Sequence, residues 1–381
     1  MTLHIDIHIL QSVPPSNINR DDTGSPKTAT YGGVRRARVS SQAWKRATRR
    51  DFSQFLDADQ LGVRTKRSVE LLSERIERLS PELGAAAASA LAVSALEAAG
   101  LKVKAGRNAK EGDQPLSEFL VFFSSQQLDN LASLAVQAPD GKVKRADAKA
   151  VMNSAQSVDL ALFGRMVARA KEDKISVNVD ASCQVAHAIS THSVTTEFDF
   201  YTAVDDFDES SQNQEAQEQE TGAGMLGTIE FDSATLYRYA TVNVNELHQS
   251  LGDTEATAKA VEAFVRSFVT SMPTGKQNTF ANRTAPDAVV VMVREERPVN
   301  LVGAFEEPVR GRDGYMAASC EALAAYADEV DAAFGGAPTD IWVTRVGRRT
   351  EALSSLGDRI PFDELVRRVG ERTRAAATEQ S

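Results

Sequence analysis

Cysteine is scarce in this sequence: Cys183 and Cys320 are the only two among 381 residues. Two cysteines cannot build a disulfide framework, and a zinc cluster would need more ligands, so a reducing cytoplasm is the expected compartment. Long apolar runs are missing too. The first ten residues, MTLHIDIHIL, have no basic segment and alternate apolar with polar residues, which does not read as a signal peptide. The alanine-rich stretch 84–100 contains Glu97 and is too short and too weakly apolar to cross a bilayer, so it reads as a buried helix of small side chains. No phosphate-binding P-loop, dinucleotide glycine motif, Ser-His-Asp or Cys-His signature is present, and no repeat of 20–50 residues. An excess of positive charge is likewise absent. The formal charge is -10, which excludes a nucleic-acid binder held by net charge alone but leaves room for a local basic groove.

What is there suits a folded protein with a sizeable core: 42% apolar and 25% charged residues. The length allows two or three lobes, or one core with large insertions. Leu3, Ile5, Ile7 and Ile9 alternate with His4, Asp6 and His8, the period of a half-buried strand with a polar face. Residues 12–31 hold Pro14, Pro15, Asn17, Asn19, Gly24 and Pro26 and read as a loop. Ser40 or Ser41 is placed to cap a helix running from Gln42 towards Leu56. Residues 56–174 read as mostly helical, with breaks at 102–115 and 139–142, and 181–192 as a further helix. Strands are expected at 198–204, 226–231, 235–244, 288–293 and 341–346, and helices at 254–272 and 317–333. The acidic tract 205–224 reads as a solvated loop at the tip of a hairpin; residues 197–232 hold eleven acids and no Lys or Arg. The class is α+β. A ferredoxin-like core has this shape, although the pattern alone does not establish that topology.

Charge is the strongest signal. The first fifty residues carry nine basic groups and three acids, a net +6, while the remaining 331 sum to -16. Gln42, Lys45, Arg46 and Arg49 follow i, i+3, i+4, i+7 and share one helix face, with Ser40 and the first amides at its head. Repulsion among like charges on that face would be relieved by a polyanion; the alternative is a solvated surface helix, or one that docks an acidic protein. Arg20 and Lys27 stand in the adjacent loop. Asp21 and Asp22 have two readings, a metal pair that cleaves a phosphodiester or local hydrogen bonding. Met166 reads either as core packing or as a side chain laid against bases. His187 reads as a buried or interface residue, and His8 as part of a surface.

Several segments resemble one family. They are Asn19-Arg20-Asp21-Asp22, the run GGVRRARVSSQ at 32–42 with Lys45-Arg46, DLALFGRM at 159–166, QVAHAISTH at 184–192, YTAVDD at 201–206, LYRYA at 236–240 and Gly275-Lys276-Gln277. In this order they are similar to the CasC family, the repeated backbone subunit of the type I-E CRISPR Cascade complex. The resemblance fades across 57–150 and after Tyr315. It implies a modified RNA-recognition-motif (ferredoxin-like) palm at 1–56, 175–197 and 234–381. It also implies a helical fingers insertion at 57–174 and a thumb hairpin at 198–233. The implied partners are CRISPR RNA, further copies head to tail, other Cascade subunits, and target DNA through the guide. Neither a membrane nor a cofactor is implied. Guide contacts are implied for Arg20, Lys27, Ser40, Gln42, Lys45, Arg46, Arg49, Met166, Thr202 and Lys276, with no catalytic or metal-binding residue. The competing expectation is a metal-dependent endoribonuclease using Asp21 or Asp22.

Overall fold

The computed structural model describes residues 2–106, 110, 113–166, 177–203 and 225–379. The acidic tract 205–224 and part of the break at 102–115 lie outside the described residues.

The amino-terminal elements are β1 (His4–Ser16), β2 (Thr28–Tyr31), β3 (Val34–Val39) and α1 (Ser41–Asp51). An insertion follows, with strands β4 (Gly62–Thr65), β5 (Val103–Lys104), β6 (Leu116–Ser117) and β7 (Val121–Ser124) around helices α2 (Ser68–Leu79), α3 (Gly84–Ala98), α4 (Ser125–Gln137) and α5 (Arg145–Met152). Next come α6 (Val158–Phe163), β8 (Cys183–Val185), β9 (Ala188–Ser190), β10 (Glu197–Ala203) and β11 (Met225–Asn243). The rest is α7 (Val244–Leu251), α8 (Thr254–Thr270), α9 (Gln277–Phe280), β12 (Ala288–Arg294), α10 (Met316–Phe334), β13 (Asp340–Arg345), β14 (Asp358–Arg359) and α11 (Phe362–Thr378).

One large sheet has the order β14-β13-β12-β1-β11-β9-β3-β2, with β8 and β10 also pairing β11. β1 lies between two antiparallel partners, with Ile7 opposite Ala240 of β11 and Val291 of β12. Its period-2 pattern therefore feeds two cores. Ile5, Ile7 and Ile9 face helices α1, α8 and α11, together with Phe264, Phe268 and Val366. The other face meets α10, where Leu10, Tyr237 and Met292 pack on Met316, Cys320 and Leu323. The expected polar face of β1 is thus interior: Asp6 and His8 are 0% and 1% exposed. His8 Nδ1 lies 2.9 Å from the Tyr237 hydroxyl, and the His8 surface reading is corrected. The reason is that α10 covers the second face, which strand periodicity does not report.

Three further elements differ from expectation. β1 continues through Pro14 and Pro15 to Ser16, with an irregular register between Val13 and Ser16 that accommodates the two residues lacking N–H groups. Residues 226–244, expected as two strands, form one strand of 19 residues; its second part pairs β1 and its first part leaves to pair β10. Residues 181–192 are not a helix but the strands β8 and β9 against β11. Their β-branched residues suit a pleated surface, and the sheet supplied the partner.

The insertion has its own core, in which Ala88, Ala92 and Ala95 of α3 meet Leu72 and Ile76 of α2 and Leu128 and Leu131 of α4. The i, i+4, i+7 spacing of alanines lets these helices approach closely. Asp159 anchors the insertion: its Oδ1 accepts from the Gly62 amide at 2.8 Å and the Ser157 hydroxyl at 2.8 Å. Among the described residues no single helix is long and apolar enough to cross a membrane.

Candidate nucleic-acid interface

Helix α1 is built to present a charged face. Ser40 caps it, its Oγ accepting from the Ala43 amide at 3.3 Å, while Ser40's own amide donates to Asn19 Oδ1 at 2.8 Å. That second bond ties the 17–27 loop to the helix head. Trp44 and Thr48, one turn apart, are buried and fix the inner face. Trp44 packs edge-on against Phe268 of α8, with ring centroids 6.5 Å apart. Arg49 and Arg50 in the last turn sit favourably at the carboxyl end of the helix dipole.

The opposite face divides two grooves. The first, about 1080 Å³, lies between the 18–24 loop, α1 and residues 271–277, and includes Arg20, Ser40, Gln42, Arg46 and Lys276. The second, about 670 Å³, runs between α1 and the base of the insertion, and includes Gln42, Lys45, Arg46, Arg49 and Met166. The face inferred from the i, i+3, i+4, i+7 spacing is therefore real, and Gln42 and Arg46 border both grooves. Eight of the ten expected site residues come together here. Lys27 stands at the helix head, its carbonyl accepting from the Arg38 amide at 2.9 Å. Thr202 is on β10, opposite Leu226 in the hairpin.

Among the described residues the cations of this face are not ion-paired, although Asp21, Asp22 and Asp51 also line the first groove and Asp180 the second. Among the described residues, Arg20, Lys27, Lys45, Arg46, Arg49 and Lys276 make no ion pair, whereas Arg367, Arg368, Arg372 and Arg374 of α11 all do. Aromatic rings back the cations instead: Lys45 Nζ is 5.8 Å from the Phe163 ring centre, and Arg49 Cζ is 5.3 Å from that of Phe122. Partial burial lowers the Arg49 pKa, with Asp159 opposing and Arg64, Arg46 and Arg50 reinforcing the shift. An incoming anion would favour the charged form of that cluster.

Met166 is 85% exposed and so does not pack in the core. Its neighbour Arg165 is buried and fully engaged: Nε donates to the Val177 carbonyl at 2.7 Å, Nη1 to that of Phe122 at 3.0 Å, and Nη2 to that of Met152 at 2.5 Å. The buried guanidinium holds the chain that displays the methionine. Lys276 depends on a close approach as well. A Cβ on Gly275 would lie 2.3 Å from the Ile18 carbonyl oxygen, so only glycine lets this segment reach the 17–27 loop.

Asp21 is hydrogen-bonded within its own turn. Its Oδ1 accepts from the Thr23 amide at 2.9 Å, the Thr23 hydroxyl at 2.7 Å and the Ser25 amide at 3.0 Å, and these bonds, that of the Thr23 hydroxyl first, lower its pKa. Among the described residues no group of three metal-ligating side chains is assembled. Arg36, one of the nine early basic groups, is structural: it is buried and donates to the carbonyls of Tyr31, Ser190 and Phe305. Arg64 and Arg283 line the grooves and were missed, because each comes from a segment distant from α1 in the chain. Nothing local in the sequence could have found them.

The fold and this face define an α+β protein with a cationic, aromatic-backed double groove in an acidic chain. The chain belongs to the CT1975-like protein family (Cas_CT1975), whose model matches residues 5–368, and it is of the CasC type. It is similar to a solved chain of a "CRISPR RNA-guided surveillance complex, pre-nicking", with 34% identity and a TM-score of 0.78 over 97% of this chain and 100% of that one. It is also similar to a chain of a "CRISPR RNA-guided surveillance complex", with 28% identity and a TM-score of 0.71 over 97% of this chain and 99% of that one. No curated protein is significantly similar to it.

Proposed function

We propose that this chain is a non-catalytic backbone subunit of a CRISPR surveillance complex of the Cascade type, binding CRISPR RNA along α1. The observation that carries this reading is the row of unpaired cations, Lys45, Arg46 and Arg49, between two grooves in a protein of net charge -10. Backbone binding of this kind supplies affinity without sequence readout, as a subunit that must accept any guide requires. Arg20, Lys27, Ser40, Gln42 and Lys276 would add contacts at the helix head. Met166 would lie against bases, and Thr202 would help to position a displaced nucleotide.

The strand order β12-β1-β11-β9, with α1 and α8 on one face, supports a modified RNA-recognition-motif palm formed by 1–56, 175–197 and 234–381. The separately cored insertion at 57–174 would be the fingers, and the hairpin at 198–233 the thumb, wedged against the guide of a neighbouring copy. Copies would follow one another head to tail, since a heterologous interface that does not close makes a filament. The guide would be kinked at intervals and presented to target DNA, alongside other Cascade subunits in the cytoplasm. Hydrogen bonding of Asp21 within its own turn speaks against Asp21 as the active residue of an endoribonuclease.

The test is the salt dependence of binding to single-stranded RNA of guide length, with sedimentation on RNAs of increasing length. A steep slope and particles that grow with RNA length are expected. Weak, salt-insensitive binding by the chain, both alone and with its partner subunits, would overturn the proposal.

A further inference from the structure

His187 was expected on a helix as a buried or interface residue, yet it is exposed, in the bend between β8 and β9. Its Nδ1 accepts from the backbone amide of Ser41, the first residue of α1, at 3.2 Å. Arg38 Nη1 lies 3.4 Å from the same nitrogen, and the Arg38 Nε donates to the Thr28 carbonyl at 3.1 Å. A nitrogen that accepts a backbone N–H carries no proton, so the ring proton sits on Nε2. Among the described residues Nε2 makes no hydrogen bond. Partial burial first, then the cations Arg38 and Lys27, keep the pKa of the ring below its usual value. Four features of the expected guide path therefore meet at one point: Lys27, Ser40, the first amide of α1 and a neutral imidazole with a free donor.

We propose that His187 is a further guide-contacting residue, donating from Nε2 of a neutral ring to a phosphate or ribose oxygen of the RNA at the head of α1. This inference rests on the RNA-binding reading of the α1 face. As a neutral donor, His187 adds a directed hydrogen bond without adding to the charge that the phosphates must balance. Its share of binding should consequently be insensitive to salt, unlike that of Lys45 and Arg49.

The experiment compares binding of guide-length single-stranded RNA by the wild-type chain, His187→Ala, His187→Asp and the Lys45→Ala, Arg49→Ala double variant, across a salt series near pH 7.5. Removing one neutral hydrogen bond should weaken His187→Ala roughly three- to tenfold while leaving the logarithmic salt slope unchanged. His187→Asp keeps an acceptor for the Ser41 amide, but it donates nothing and sets a negative charge against the phosphates. It should bind more weakly than His187→Ala. Wild-type affinity in His187→Ala, or recovery in His187→Asp, would reduce His187 to a helix cap and overturn the proposal. A slope shallower by about 0.7 in His187→Ala would overturn the neutral form, since that is the signature of a lost phosphate-neutralising cation. Failure of the α1 reading itself is distinct: the double variant would then bind as the wild type does.

Discussion

The guanidinium of Arg238 lies 3.7 Å from the centre of the Trp44 ring, wholly inside the protein. Phe268 covers it from α8 at 4.7 Å, Nη1 donates to Gln11 Oε1 at 2.7 Å, and Nη2 donates to the Phe268 carbonyl. No carboxylate joins this arrangement among the described residues, and burial pushes the Arg238 pKa down to about 9, so the group remains charged at neutral pH. The cation bridges β11, α1 and α8 under the helix that carries the groove. Arg238→Met would remove the cost of burying the charge but leave two buried acceptors unpaired and forfeit the ring contacts. The unpaired acceptors win, and a net loss of about 1–3 kcal/mol is expected in denaturant unfolding. An unchanged or raised midpoint would refute this.

Lys45 and Arg49 carry no structural ion pair, so replacing both by alanine should change stability by less than about 1 kcal/mol. The salt slope for single-stranded RNA should become shallower by about 1.4, at about 0.7 per phosphate contact. Unfolding curves and binding isotherms on the same variant check both halves.

Met166 offers the cleanest separation of binding from folding. At 85% exposure it has almost no burial to lose. Met166→Ala should leave the unfolding midpoint within about 0.5 kcal/mol of wild type while weakening RNA binding several-fold. A large drop in stability would show that the side chain packs in the core after all.

Gly275→Ala should act through the backbone. Its Cβ would lie 2.3 Å from the Ile18 carbonyl oxygen, a contact that forces the 271–277 segment away from the loop. A destabilisation of about 1–3 kcal/mol, with weaker RNA binding as Lys276 moves, is expected. Binding and stability both equal to wild type would show that the close approach is dispensable.

Asp6 sets a pH dependence. Burial raises its pKa to about 6, despite the bond from the Val299 amide, that from the Tyr239 hydroxyl, and Arg294 Nε at 3.5 Å. Arg294 is shared with the closer Asp331, at 2.8 Å, so burial prevails over the ion pair. A raised carboxyl pKa means that the folded state holds the proton more tightly. The Asp6 contribution is therefore full below about pH 4 and is lost as pH rises through about 6. Subtracting the stability curve of Asp6→Asn from that of wild type should give a difference that declines across this window. A flat difference would refute it.

The sequence alone determined what depends on neighbours along the chain. The apolar spacing of 254–272 and 317–333 placed helices found at Thr254–Thr270 and Met316–Phe334. The i, i+3, i+4, i+7 run from Gln42 to Arg49 named one face of α1 because a helix turn is set by local backbone geometry. Tertiary structure decided whatever needed a partner from elsewhere. Residues 181–192 became strands because β11 offered open hydrogen-bonding groups. Asp6 and His8 became interior because α10 closed the second face of β1. Arg36 and Arg38, two residues apart, parted company: distant carbonyls enclosed the first, while the second reached the head of α1. Arg64 and Arg283 joined the grooves, and His187 the head of α1, by the same route. Burial and approach are set by the whole chain's packing, and no local pattern records them.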